Sequence, residues 1–162
     1  MSKPLRNNFL IVFCLLPGTS CQNGDPTGPY VGADTAGSIR VDFTTQPGRW
    51  HADQLVIDSA SIASDVLHVH VHHGGGCARH AYAAVAYNGW LESNPVQVGA
   101  FLAHNANRDP CDALLNAHLR FDLVPLRDAY RKSYGPAAAE LVIQLAEAFP
   151  WNHGPVTLRY RF

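Results

Sequence analysis

Residues 65–73 read Asp65-Val66-Leu67-His68-Val69-His70-Val71-His72-His73, and the alternation in this run decides the fold class. Successive side chains of a strand point to opposite faces of a sheet. Leu67, Val69 and Val71 therefore share one face, and His68, His70 and His72 share the other. An apolar front with a polar back is the pattern of a half-buried strand. Gly74, Gly75 and Gly76 follow and predict a turn. The return strand of that hairpin is expected over residues 80–87, with Tyr82, Val85 and Tyr87 as its apolar positions.

Outward from this hairpin the pattern repeats. Asn88-Gly89 is a tight-turn pair. Residues 54–63 carry Leu55, Val56, Ile57 and Ile62, and further strands are expected over 96–104, 119–124 and 157–162. Residues 140–145 combine helix-favouring Glu and Leu with strand-like alternation, and a strand is the expectation there. Two short helices are predicted. Asp109-Pro110 supplies an N-cap and a first-turn proline for a helix over 109–117, and Pro125 opens another that Gly135-Pro136 ends. Each sheet must cover its apolar face with a second layer. The expectation is an all-β domain over residues 50–162: an antiparallel two-layer sandwich of about seven strands with one or two short helices.

The N-terminus reads differently. Lys3 and Arg6 precede an unbroken apolar run, residues 9–16, which is too short to span a bilayer but suits the core of an export signal. Pro17, Gly18, Thr19 and Ser20 then lead to Cys21. This resembles the lipobox of bacterial lipoproteins, with Gly18 where an aliphatic residue is usual. The resemblance implies a signal peptide over residues 1–20, lipidation at Cys21, and an exported protein attached to the cell-envelope membrane through its N-terminal lipid. Gln22 follows Cys21, and by the same resemblance the outer membrane is favoured over the inner. Residues 21–49 are rich in Gly, Pro, Asp and Thr and are expected to be a flexible linker, with residues 38–43 alternating enough to add a short edge strand.

Only 15 % of residues are charged, and removing Lys3 and Arg6 with the signal takes the formal net charge from −1 to −3. No clustered basic face is present, so nucleic acid is not an expected partner. Of four cysteines, Cys14 lies in the signal core and Cys21 at the lipobox, which leaves Cys77 and Cys111. In an oxidising compartment two cysteines suit one disulfide. Together with His80 and His104 they also suit a closed zinc site, and the two readings exclude each other at the sulfurs.

The densest polar cluster runs from His68 to His80. Imidazoles two apart on a strand project to one side and can converge on an ion, and neutral imidazole is a common ligand of zinc and copper. The expected metal ligands are His70 and His72, completed by His80 and His104. The pair His70-Val71-His72 resembles the strand pairs of cupins and of copper/zinc superoxide dismutases. It lacks the Glu that follows in the first family and the later His/Asp loop of the second. Residues 74–82 and 102–111 are similar to a pairing in uncharacterised bacterial lipoproteins and secreted proteins, which implies a shared fold and Cys pair. No serine stands in a nucleophile-elbow context. The functional expectation is a membrane-anchored lipoprotein that binds a partner or a metal, or serves the envelope structurally. A zinc- or copper-dependent extracytoplasmic enzyme is the alternative.

Overall fold

A computed structural model describes residues 31–32, 36–148 and 153–162 of the chain. The signal segment, Cys21 and the first part of the linker lie outside these residues. Among the described residues the chain forms two sheets. The first contains β1 (Val31–Gly32), β3 (Arg40–Val41), β6 (Ala81–Leu91), β7 (Val96–Asn105), β9 (Glu140–Glu147) and β10 (Val156–Arg161). Its order is β1-β6-β7-β9-β10, with β3 also on β6. The second contains β2 (Ala36–Ser38), β4 (Val56–Ala63), β5 (Val66–Gly75) and β8 (Ala113–Asp122), in the order β2-β8-β5-β4. The expected sandwich is present, with seven long strands and three segments of two or three residues. Most pairings are antiparallel, while β2–β8, β3–β6 and β7–β9 are parallel.

The core follows from strand parity. Leu67, Val69 and Val71 of β5 are buried, as are Leu119 and Phe121 of β8 beside them. They meet Tyr82, Ala84, Ala86, Leu102, Leu141 and Ile143 of the other sheet. Full burial of one such large apolar side chain contributes about 1.5–3 kcal/mol. Strand β6 reads as a continuous apolar run because both of its faces are covered. Ala83 and Val85 look away from the main core and pack with Phe101, Ala103 and Ala148 beneath Trp50 and Ala52.

Several expectations are corrected. β5 and β6 do not form a hairpin: they belong to different sheets, and β5 instead lies between β4 and β8. The glycine run therefore carries the chain from one layer to the other. Asn88-Gly89 is not an inter-strand turn but an irregularity inside β6, where the register to β7 shifts between Tyr87 and Trp90. Both residues have positive φ, 64° and 74°, so the same pair that suits a tight turn here suits a bulge. Residues 109–117 are not helical. The Asp109 carboxylate caps the N–H of Cys111 as a turn does, and from Ala113 the chain extends along β5 for ten residues. The apolar-polar alternation of Ala117, Leu119 and Phe121 decided that segment. The folded domain also reaches further back than Trp50. β2 adds to the second sheet and β3 to the first, and Ile39 between them is 2 % exposed.

The remaining helix, α1 (Val124–Tyr134), carries Pro125 in its first turn and is capped by Gly135, whose φ is 97°. Asp65, in the β4–β5 turn, holds it: its carboxylate takes Arg127 Nη1 at 2.6 Å and the Tyr160 hydroxyl at 2.6 Å. This staple lies at the start of β5, and the other end of that strand carries His73.

Candidate metal centre

The expected ligand set, His70, His72, His80 and His104, is divided between two places. His70 and His72 lie on the outer face of the second sheet. There His70 stands opposite His118 with rings stacked at 4.2 Å, and His68 Nδ1 is 3.2 Å from His118 Nε2. His72 Nδ1 pairs with Asp58 at 2.6 Å on the exposed surface. His80 and His104 are in the interior, 7 % and 1 % exposed. A strand cannot turn alternate residues to both faces, so the two pairs are separated by the sheet itself.

The interior partner is His73, at 4 % exposure. It continues the inward parity of Leu67, Val69 and Val71. That parity is legible in the sequence, where His73 directly follows His72 of the opposite face. His73, His80 and His104 offer one ring nitrogen each, all within 4.8 Å of one another. Their centroids are 4.4–5.0 Å apart.

Each ring is oriented by its other nitrogen. His73 Nδ1 faces the Gly74 carbonyl at 2.8 Å. His104 Nδ1 faces the carbonyls of Asp53 and Gln54 at 3.2 and 3.1 Å. His80 Nε2 faces Asp109 Oδ2 at 3.0 Å. Carbonyl and carboxylate oxygens only accept, so each of these nitrogens carries the hydrogen and donates it. In neutral rings the remaining nitrogens are lone pairs: Nε2 of His73, Nδ1 of His80 and Nε2 of His104. The last two face one another at 2.8 Å. Two lone pairs at that distance need a shared cation, either a proton or a metal ion. The Tyr82 hydroxyl donates to the Nε2 lone pair of His73, a hydrogen bond that a metal ion held by His73 would displace.

The fold builds this arrangement from segments far apart in the chain. β7 continues past the end of β9, and residues 51–53 pair with it at His104 instead, which brings the two carbonyls to its ring. Tyr82 stands opposite His104 in the β6–β7 register, with rings parallel and 5.1 Å apart. The Cys77–Cys111 disulfide, with Cα atoms 5.7 Å apart, ties the β5–β6 loop to the segment before β8. This pairing takes both sulfurs, so a zinc site through Cys77 and Cys111 is excluded. Beside the disulfide, Asp109 Oδ2 accepts the backbone N–H groups of Gly76, Cys77 and Ala78 at 2.8–2.9 Å. The sequence predicts Asp109 as a helix cap, and nothing in it marks Asp109 as the residue that orients His80.

Electrostatics favour a ligand role. Burial, then the neighbouring His73, push His104 down to about 4, and burial also lowers His73. Both rings are neutral near pH 7 and present lone pairs. Burial opposes the charge of Asp109. The N–H groups of Ala78 and Cys111, then the His80 ring, more than offset it and hold the carboxyl well below the usual carboxylate range. A charged carboxylate behind a histidine fixes its tautomer and raises its basicity toward a metal.

A pocket of about 490 Å³ opens over the group and is lined by His73, His80 and Tyr82. Glycine is required below it. Gly75 has φ +145°, and a Cβ there would lie 2.5 Å from His80 Nε2.

No protein-family model matches the chain. No curated protein matches it either. Solved structures do. A NigD-like immunity protein from Bacteroides caccae superposes with a TM-score of 0.53 at 17 % identity, covering 74 % of this chain and 57 % of its own. A protein of unknown function from Bacteroides vulgatus gives 0.51 at 12 % identity, covering 78 % and 56 %. At these identities the likeness concerns the fold alone. The chain spans little more than half the length of either structure.

Proposed function

We propose that this protein is an exported, lipid-anchored envelope protein whose sandwich domain binds one transition-metal ion through His73, His80 and His104. One observation carries the metal reading. Three buried imidazoles turn their lone pairs together while every outward nitrogen is held by a carbonyl or carboxylate. That division is the one metal-bound histidines need. Three nitrogens with an adjacent hydroxyl suit zinc or copper. The disulfide supports an oxidising compartment, in line with the lipobox-like Cys21. A metal-dependent enzyme is the second reading, favoured by the pocket over the site.

The test is native mass spectrometry of the untagged full-length chain after incubation with zinc or copper. One metal equivalent is expected, lost in His73→Ala and His104→Ala and kept in the His70→Ala/His72→Ala double variant. No metal, or loss only with His70 and His72, overturns the reading. Palmitate labelling that disappears in Cys21→Ser checks the anchor; equal labelling of that variant refutes it.

A further inference from the structure

We infer that the metal centre keeps one coordination position open to the pocket and takes a small carboxylate there. This rests on the metal reading above. Closed structural zinc sites take four protein ligands, whereas sites that bind an exogenous ligand use three. The interior group supplies three nitrogens. The pocket reaches His73, His80 and Tyr82, and among the described residues Arg79 is the one Lys, Arg, Asp or Glu on its wall.

The lining defines the ligand. Arg79 is exposed and lines the pocket, so its guanidinium is charged and available to attract an anion. A planar fork of donors matches a carboxylate in particular. Tyr82 lines the same space, and its hydroxyl, released from His73 Nε2 when that nitrogen binds metal, is left to donate to the carboxylate. Leu115, opposite His73 on β8, supplies an apolar wall. A carboxylate with a short apolar tail satisfies all of these: the charge sits toward the metal and Arg79, the tail against Leu115. A neutral ligand leaves the Arg79 charge unmatched, and a cationic one is repelled by it.

Cobalt(II) serves as a spectroscopic probe in the untagged full-length chain, with propionate as the added carboxylate. The cobalt absorption bands are expected to appear on loading and then to change saturably with propionate. Arg79→Ala is expected to keep the cobalt bands and weaken the propionate response about tenfold, the usual scale for one charge-assisted hydrogen bond. Leu115→Trp, on the pocket wall opposite His73, is expected to keep the bands and lose the response. Cobalt bands indifferent to propionate overturn the open position and leave the metal reading standing. An undiminished response in both variants overturns the pocket as the route. No cobalt bands at all overturn both readings.

Discussion

Nδ1 of His80 lies 2.8 Å from Nε2 of His104, and the opposite nitrogen of each ring is already committed to an oxygen acceptor. The pair therefore holds a place for a cation between two strand neighbourhoods that meet only in the folded protein. A metal that binds there binds the native state and not the unfolded chain. At free metal 100-fold above Kd the gain is about 2.7 kcal/mol. For a domain of this size that raises Tm by roughly 5–10 °C. Thermal unfolding with zinc and with a chelator measures it. Equal Tm values, or an equal rise in His104→Ala, contradict the site.

Asp109 acts on the metal only through His80. Asn at this position keeps the size and one acceptor oxygen but removes the charge that backs the imidazole. Loss of such a supporting carboxylate costs about 10–100-fold in metal affinity. Competition with a chromophoric chelator gives the Kd of Asp109→Asn. An unchanged Kd alongside an unchanged fold means that the carboxylate serves only the loop.

Gly75→Ala tests how tightly the glycine run is bound to the site. The new methyl group meets His80 and Asp109 Oδ2 within 3.0 Å, on a backbone of φ +145° that L side chains rarely adopt. Such backbone strain costs of order 1–3 kcal/mol, and the displaced imidazole adds a loss of metal binding. Urea unfolding together with metal titration separates the two effects. Gly48→Ala, where nothing lies within 4 Å of the added carbon, is the control expected to be near neutral.

The disulfide closes a loop between residues 34 apart. Its removal in Cys77→Ala/Cys111→Ala is expected to cost about 3–4 kcal/mol by the loop-entropy relation. It also frees the segment whose N–H groups hold Asp109, so metal affinity falls as well. Urea midpoints of the native and double-variant proteins check the first effect. Metal affinity untouched by the change would detach Asp109 placement from the disulfide.

Much of the fold was legible before the structure. The alternation of residues 65–73 marked β5, and the runs at 96–104 and 157–162 marked β7 and β10 almost to their ends. Pro125 and Gly135 bounded α1 correctly. These signals are local: parity, a missing N–H, a positive φ. What the sequence left ambiguous was which strands pair. Gly74-Gly75-Gly76 reads equally as a hairpin turn or as a crossing between layers, because glycine permits both. Residues 109–117 carry a helix-cap signature whose carboxylate is used by a loop 31–33 residues away in the chain.

The candidate site divides the same way. Sequence alone determined that His68, His70 and His72 share one face and that the face opposite them is apolar, because strand periodicity leaves no other arrangement. It therefore also determined that His73 points inward with Leu67, Val69 and Val71. Only the tertiary structure decided what His73 meets there. His80 and His104 come from the opposite sheet, Asp109 from a disulfide-tied loop, and the two carbonyls from residues 53 and 54. Convergence of side chains from separate strands depends on how the layers stack, and no periodicity along one strand encodes that.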